Sequence, residues 1–93
     1  MPLLPERFRS VPLAHRALHN IKDGRPENSR AAIKAAVDLG YGIEIDVQLT
    51  ADDGAVVFHD YDLPRLTRAK GAVRDYSRAD LASVALKGGD ETI

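Results

Sequence analysis

The chain has 93 residues, 44% hydrophobic and 29% charged, which is room for one domain or part of one and excludes a two-domain enzyme. Thirteen Lys and Arg against fourteen Asp and Glu leave a net charge of −1, so no overall field draws the protein to nucleic acid or to an anionic membrane. With no cysteine there is no disulfide, thiolate nucleophile or sulfur-ligated zinc, and any metal must be held by oxygen or imidazole.

The apolar start, Met1 to Leu4, is cut by Pro2, Pro5, Glu6 and Arg7 before a signal-peptide core forms. Nothing approaches the ~18 consecutive apolar residues of a membrane span, so a soluble, cytoplasmic chain is expected. Val11 to Ala14 predicts a short strand running into His15 and Arg16, and Ala17 to Pro26, polar and broken by Gly24 and Pro26, predicts a loop. Asn28 or Ser29 can cap a helix through Leu39, with Ala32, Ile33, Ala36, Val37 and Leu39 on one broad face and Gly40 as the stop. Gly42 to Leu49 alternates apolar and polar, the period of one strand. Asp53-Gly54 makes a turn into a second short strand, Ala55 to His59.

Asp60 to Arg74 is polar and turn-rich, and Ser77 with Asp80 opens a short helix to about Val84. Gly88 to Ile93 reads as a loop leading into a further element. The order of elements predicts an α/β fold in which helices cover a parallel sheet, with residues 1–93 forming a single partial domain.

Glu44 and Asp46 lie two positions apart on the alternating segment, so on a strand their side chains share one face, about 6.6 Å apart at the backbone. A hard cation would satisfy both, and a sheet edge with its polar face in water would do so equally. His15 and His59 each follow an apolar strand and are expected at the carboxyl ends of parallel strands, where sites assemble in barrel and doubly wound folds. Either histidine alone reads as a hydrogen-bonded structural residue. Together with the carboxylate pair and Arg16 they contain an acid/base pair, an anion binder and a cation seat, which are the requirements for cleaving a phosphodiester.

The ordered set His15-Arg16, Pro26-Glu27-Asn28, Ile43-Glu-Ile-Asp46, Asp53-Gly54, His59-Asp60 and Leu63 with Arg65 and Thr67 resembles the glycerophosphodiester phosphodiesterase family, from about Leu13 to Leu86. The resemblance implies the N-terminal part of a (β/α)8 TIM barrel, a fold that needs about 250 residues in full. It also implies His15 and His59 as general acid and base, Arg16 on the substrate phosphate, and Glu44 with Asp46 on a divalent cation, magnesium or calcium. A third carboxylate ligand is expected beyond residue 93. The resemblance implies Glu27 as a group that orients the site, with Asn28 beside it in the same element; helix capping by Asn28 and a dipole-favoured Glu27 is an equal alternative. Ala17 stands where the family usually has glycine.

The remaining polar residues carry blander expectations. His19 is read as a solvated loop residue, Asp52 and Asp53 as turn chemistry, and Arg65, Arg68, Lys70 and Arg74 as a solvated basic surface. The expected partner is a small glycerophosphodiester, cleaved to glycerol 3-phosphate and an alcohol, with no nucleic acid. Related barrels act on lysophospholipids or sphingomyelin, a less favoured reading without a hydrophobic access loop. The alternative from another class is a non-catalytic fragment whose unpaired sheet edges lead it to self-associate as a homo-oligomer.

Overall fold

The computed structural model describes Glu6 and residues 10–93. Most of the N-terminal run read as lacking a signal-peptide core therefore lies outside the described residues. Strand β1 (Leu13–His15) leads through a loop containing a short 3-10 turn (Ile21–Asp23) to helix α1 (Arg30–Asp38) and strand β2 (Gly42–Glu44). Strands β3 (Val47–Leu49) and β4 (Ala55–Val57) follow, then a second 3-10 turn (Val73–Asp75) and the one-turn helix α2 (Arg78–Leu81).

The start of α1 is fixed by Ser29, whose side chain accepts the Ala32 amide at 3.1 Å, and its end by Gly40 at φ 72°. Asn28, the other capping candidate, does not cap the helix and its side chain is used elsewhere. Ala32 and Ala36 are buried against the sheet, whereas Val37 and Leu39 are exposed, so the covered stripe is narrower than the apolar one. Helix α2 also begins as expected, with the Ser77 side chain accepting the Asp80 amide, but it stops at Leu81 rather than continuing to Val84.

The alternating segment 42–49 is two strands with different partners. β2 pairs in parallel with β1, setting His15 opposite Glu44, and completes a β–α–β unit around α1. β3 instead pairs antiparallel with β4. The expected continuous strand is broken at Ile45-Asp46 because its two halves satisfy their backbone groups on different neighbours. His59 therefore follows the return arm of a hairpin and not a parallel strand, which corrects its expected setting.

Below the hairpin the main core gathers Val56, Phe58, Leu63, Val73, Leu81 and Leu86. The polar stretch after His59 is thus anchored from inside. The chain measures 41 × 36 × 18 Å, with a radius of gyration of 14.6 Å against roughly 12 Å for a compact chain of this length. It is a thin slab, and Leu13, Val37, Leu39, Val47 and Leu49 remain at least half exposed on it.

Candidate active site

The site begins where β1 ends. Arg16 and Ala17 both have left-handed backbone, φ 55° and 62°, and this reversal directs two successive amides at Glu44. Arg16 N–H meets the Glu44 side chain at 3.1 Å, and Ala17 N–H meets the Glu44 carbonyl at 2.9 Å. A non-glycine residue pays about 1–2 kcal/mol for that conformation, and its persistence at two adjacent positions marks a segment held by its surroundings. The parallel register brings His15 Nε2 to 3.7 Å from Glu44 Oε1, with the His15 side chain 71% exposed.

Arg16 is the residue around which the rest converges. Its Nη1 donates to Glu27 at 3.3 and 3.4 Å, and its Nη2 donates to His59 Nε2 at 3.0 Å. Its Nε lies 3.9 Å from Asp46 Oδ2, too far for a hydrogen bond, and is buried without a partner among the described residues. Guanidinium can only donate, so His59 Nε2 must accept and the ring proton is assigned to Nδ1, which donates to Asp60 Oδ1 at 2.7 Å.

Asn28 supplies a second link between strand ends. At φ 58° it occupies the left-handed region that asparagine tolerates, and its side chain pairs twice with Asp46. Nδ2 donates to Asp46 Oδ2 at 3.1 Å, and Oδ1 accepts the Asp46 amide at 3.2 Å. Asp46 thus sits in the break between β2 and β3, held by Asn28. Gln48, two residues on, donates to the His59 carbonyl at 2.8 Å and fixes the backbone beneath the imidazole. An open cavity of about 420 Å³ is bounded by Asp46, Gln48, His59 and Asp60, with Tyr61 and Asp62.

Arg65 is exposed, as expected, with its side chain 48% accessible, yet it is also fully paired. Its guanidinium reaches Glu27 at 2.6 and 3.2 Å and Asp60 at 2.8 and 2.9 Å. The flanking Leu63 and Thr67 are fully buried, and the Thr67 hydroxyl donates to the Leu63 carbonyl at 2.9 Å, so Arg65 projects from a fixed turn. Burial is the largest single influence on Glu27, 9% exposed at its side chain, and would raise its pKa. The bonds from Arg65 and Arg16 together outweigh it and hold the carboxyl below its ordinary range. For Asp60 the Arg65 bond is the largest influence, and with His59 it holds that carboxyl well below the usual range.

The predicted residues are therefore joined through Arg16, which touches Glu44, Glu27 and His59 and approaches Asp46, while His15 meets the set only through Glu44. Asp60 and Arg65, present in the ordered motif set without a site role, and Gln48, not singled out in the sequence, are the further members. Glu44 and Asp46 offer the hard oxygen donors that a divalent cation prefers. Among the described residues, however, no three acidic, histidine or cysteine side chains stand close enough to enclose one. The donor chemistry fits such an ion, and the donor count is short of a complete seat.

The β–α–β opening, with acid, imidazole and guanidinium side chains gathered at its strand ends, defines an α/β protein with a polar site at the ends of its strands. Residues 15–92 match the model of the glycerophosphoryl diester phosphodiesterase family. A glycerophosphodiester phosphodiesterase of Bacillus altitudinis is 45% identical over 69 residues, covering 73% of this chain and 27% of that protein. One from Caldanaerobacter subterraneus is 47% identical over 57 residues, 60% of this chain and 24% of its own length. Among solved structures, a glycerophosphoryl diester phosphodiesterase of Parabacteroides distasonis superposes with a TM-score of 0.77 at 32% identity, over 87% of this chain and 29% of that one. An Oleispira antarctica phosphodiesterase in complex with the product sn-glycerol-3-phosphate gives 0.71 at 31% identity, over 88% and 34%.

The chain belongs to the glycerophosphoryl diester phosphodiesterase family, and its fold is the N-terminal part of that family's (β/α)8 barrel. It spans about a quarter to a third of the length of these relatives.

Proposed function

We propose that the protein hydrolyses glycerophosphodiesters to glycerol 3-phosphate and an alcohol, with His59 and His15 as base and acid. The observation that carries this reading is the meeting of Arg16 with His59 Nε2, Glu27 and Glu44. In that arrangement Arg16 binds the phosphoryl oxygens and offsets the charge that develops on them. His59, whose Nε2 lone pair accepts from Arg16 in the resting site, takes the proton of the attacking oxygen once that guanidinium turns to the phosphate. His15, mostly solvent-exposed beside Glu44, gives a proton to the departing alkoxide. Glu44 and Asp46 are the residues that would hold a divalent cation, magnesium or calcium, whose chemistry there is to polarise a phosphoryl oxygen.

The test is release of glycerol 3-phosphate from glycerophosphocholine, with and without a chelator. His15→Ala and His59→Ala should each lower the rate by about 100-fold or more, and variants within about threefold of wild type would overturn the assignment.

The exposed apolar side chains of β1, α1 and β3 favour a second reading, in which the 93-residue chain is a non-catalytic piece that self-associates through its open face. Light scattering on the purified chain tests it. A dimer or larger species that releases no product supports it, and an active monomer removes it.

A further inference from the structure

Five side chains form a closed ring. Arg16 donates to Glu27, Arg65 donates to Glu27 and to Asp60, Asp60 accepts from His59, and His59 accepts from Arg16. Two guanidinium groups face two carboxylates around one imidazole, so the formal charges balance without any outside partner. Asp60 Oδ1 is shared by Arg65 Nη2 at 2.9 Å and His59 Nδ1 at 2.7 Å. The atom that fixes the His59 proton is therefore itself fixed by Arg65. Glu27 Oε1 is shared in the same way by Arg65 and Arg16. Arg65 is the only member that touches both carboxylates with paired contacts to each, and its backbone is seated between the buried Leu63 and Thr67.

We propose that Arg65 is a positioning residue, which by gripping Glu27 and Asp60 with one guanidinium holds His59 as the Nδ1–H tautomer with its Nε2 lone pair facing Arg16. What His59 then does to a substrate rests on the phosphodiester reading above, but the tautomer does not. A merely structural Arg65 would tie the loop after β4 to Pro26-Glu27 and leave the tautomer to Arg16 and Asp60 alone. A positioning Arg65 adds to the hold that Arg16 has on Nε2, because an Asp60 released from its grip is free to turn to water and no longer favours the proton on Nδ1.

The experiment uses the 15N-labelled 93-residue chain as wild type, Arg65→Met and Arg65→Lys. The His59 tautomer is read from two-bond proton–nitrogen correlations at about pH 8.5, where imidazoles are ordinarily neutral. Wild type should show mainly the Nδ1–H form. Both variants should shift the ratio toward Nε2–H by about fivefold or more, the ratio that a single net hydrogen bond sets. Lysine keeps the positive charge and so guards the fold, but one ammonium cannot hold both carboxylates in the same geometry.

A wild-type ring in the Nε2–H form, a wild-type ratio in either folded variant, or failure of both variants to fold would each leave Arg65 a structural role at most and overturn the proposal. None of these readouts needs turnover. A chain that shows the tautomer shift yet releases no glycerol 3-phosphate would sink the diesterase reading and leave the positioning role standing.

Discussion

Arg16 places Nη2 3.0 Å from His59 Nε2 across 43 residues of sequence, and the same guanidinium holds Glu27 through Nη1. Lysine offers one compact ammonium where this geometry uses two separated nitrogens. Losing one charge-assisted hydrogen bond costs about 1.5–3 kcal/mol, so Arg16→Lys should lower kcat/KM for glycerophosphocholine by about 10- to 150-fold. Steady-state kinetics check this, and a variant as active as wild type would show that the second nitrogen is dispensable.

Acid should weaken the fold through the ring. Glu27 and Asp60 are both held below the ordinary carboxylate range, so each contributes stability that is present above its unfolded pKa and lost as pH falls through the folded one. Arg65 is held above its ordinary value by Asp60 first and Glu27 second, and it stays charged throughout this window. Urea midpoints should therefore change little from pH 7 to about 5 and fall steeply below about 4. Arg65→Met should have a shallower acid limb than wild type, because its carboxylates have less to lose; parallel limbs would contradict the ring's part in acid unfolding.

Much of the local structure was legible because its causes are local. Ser29 and Gly40 bound α1 through chemistry within a few residues, and the spacing of Glu44 and Asp46 pointed to two carboxylates close together, both beside Arg16 in the fold. The break at Ile45-Asp46 was not legible, because it arises from the partners that β2 and β3 choose, and those partners lie far away in the chain. Arg65 was hidden for a related reason. It is one of several basic residues in a polar loop, and only the fold brings it to Glu27, 38 residues upstream. Asp60, adjacent to His59, could have been read as the ring's proton partner from the pair itself. The left-handed backbone of Ala17 and Asn28 leaves no pattern in either residue's own chemistry beyond asparagine's tolerance for it.

Asn28 combines a backbone and a side-chain role that two substitutions can separate. Asn28→Ala removes both contacts to Asp46 and gives up asparagine's tolerance for φ 58°, so it should cost about 2–4 kcal/mol, from a charged hydrogen bond and left-handed strain together. Asn28→Gly accepts the backbone and should cost about 1–2 kcal/mol less than alanine. Equal urea midpoints for the two variants would show that the backbone conformation contributes nothing.

Ala17→Gly should be close to neutral despite its buried position. Glycine removes about 1–2 kcal/mol of left-handed strain, but it forfeits roughly 0.8 kcal/mol from the buried methyl and about 0.5–1 kcal/mol in chain entropy. The opposing contributions leave a difference within about 1 kcal/mol on these figures. Ala17→Val, which adds a β-branch at φ 62° in a buried site, should instead cost several-fold more. Denaturation curves of the two variants check both values, and a strongly destabilised glycine variant would mean that the strain argument is wrong.

All five members of the ring fall between residues 16 and 65. A nascent polypeptide emerging from the ribosome thus carries every one of them once Arg65 is clear, before Leu81 and Leu86 arrive to finish the core beneath. During synthesis the polar knot can be tied first and the hydrophobic floor laid afterwards, an order opposite to collapse followed by refinement.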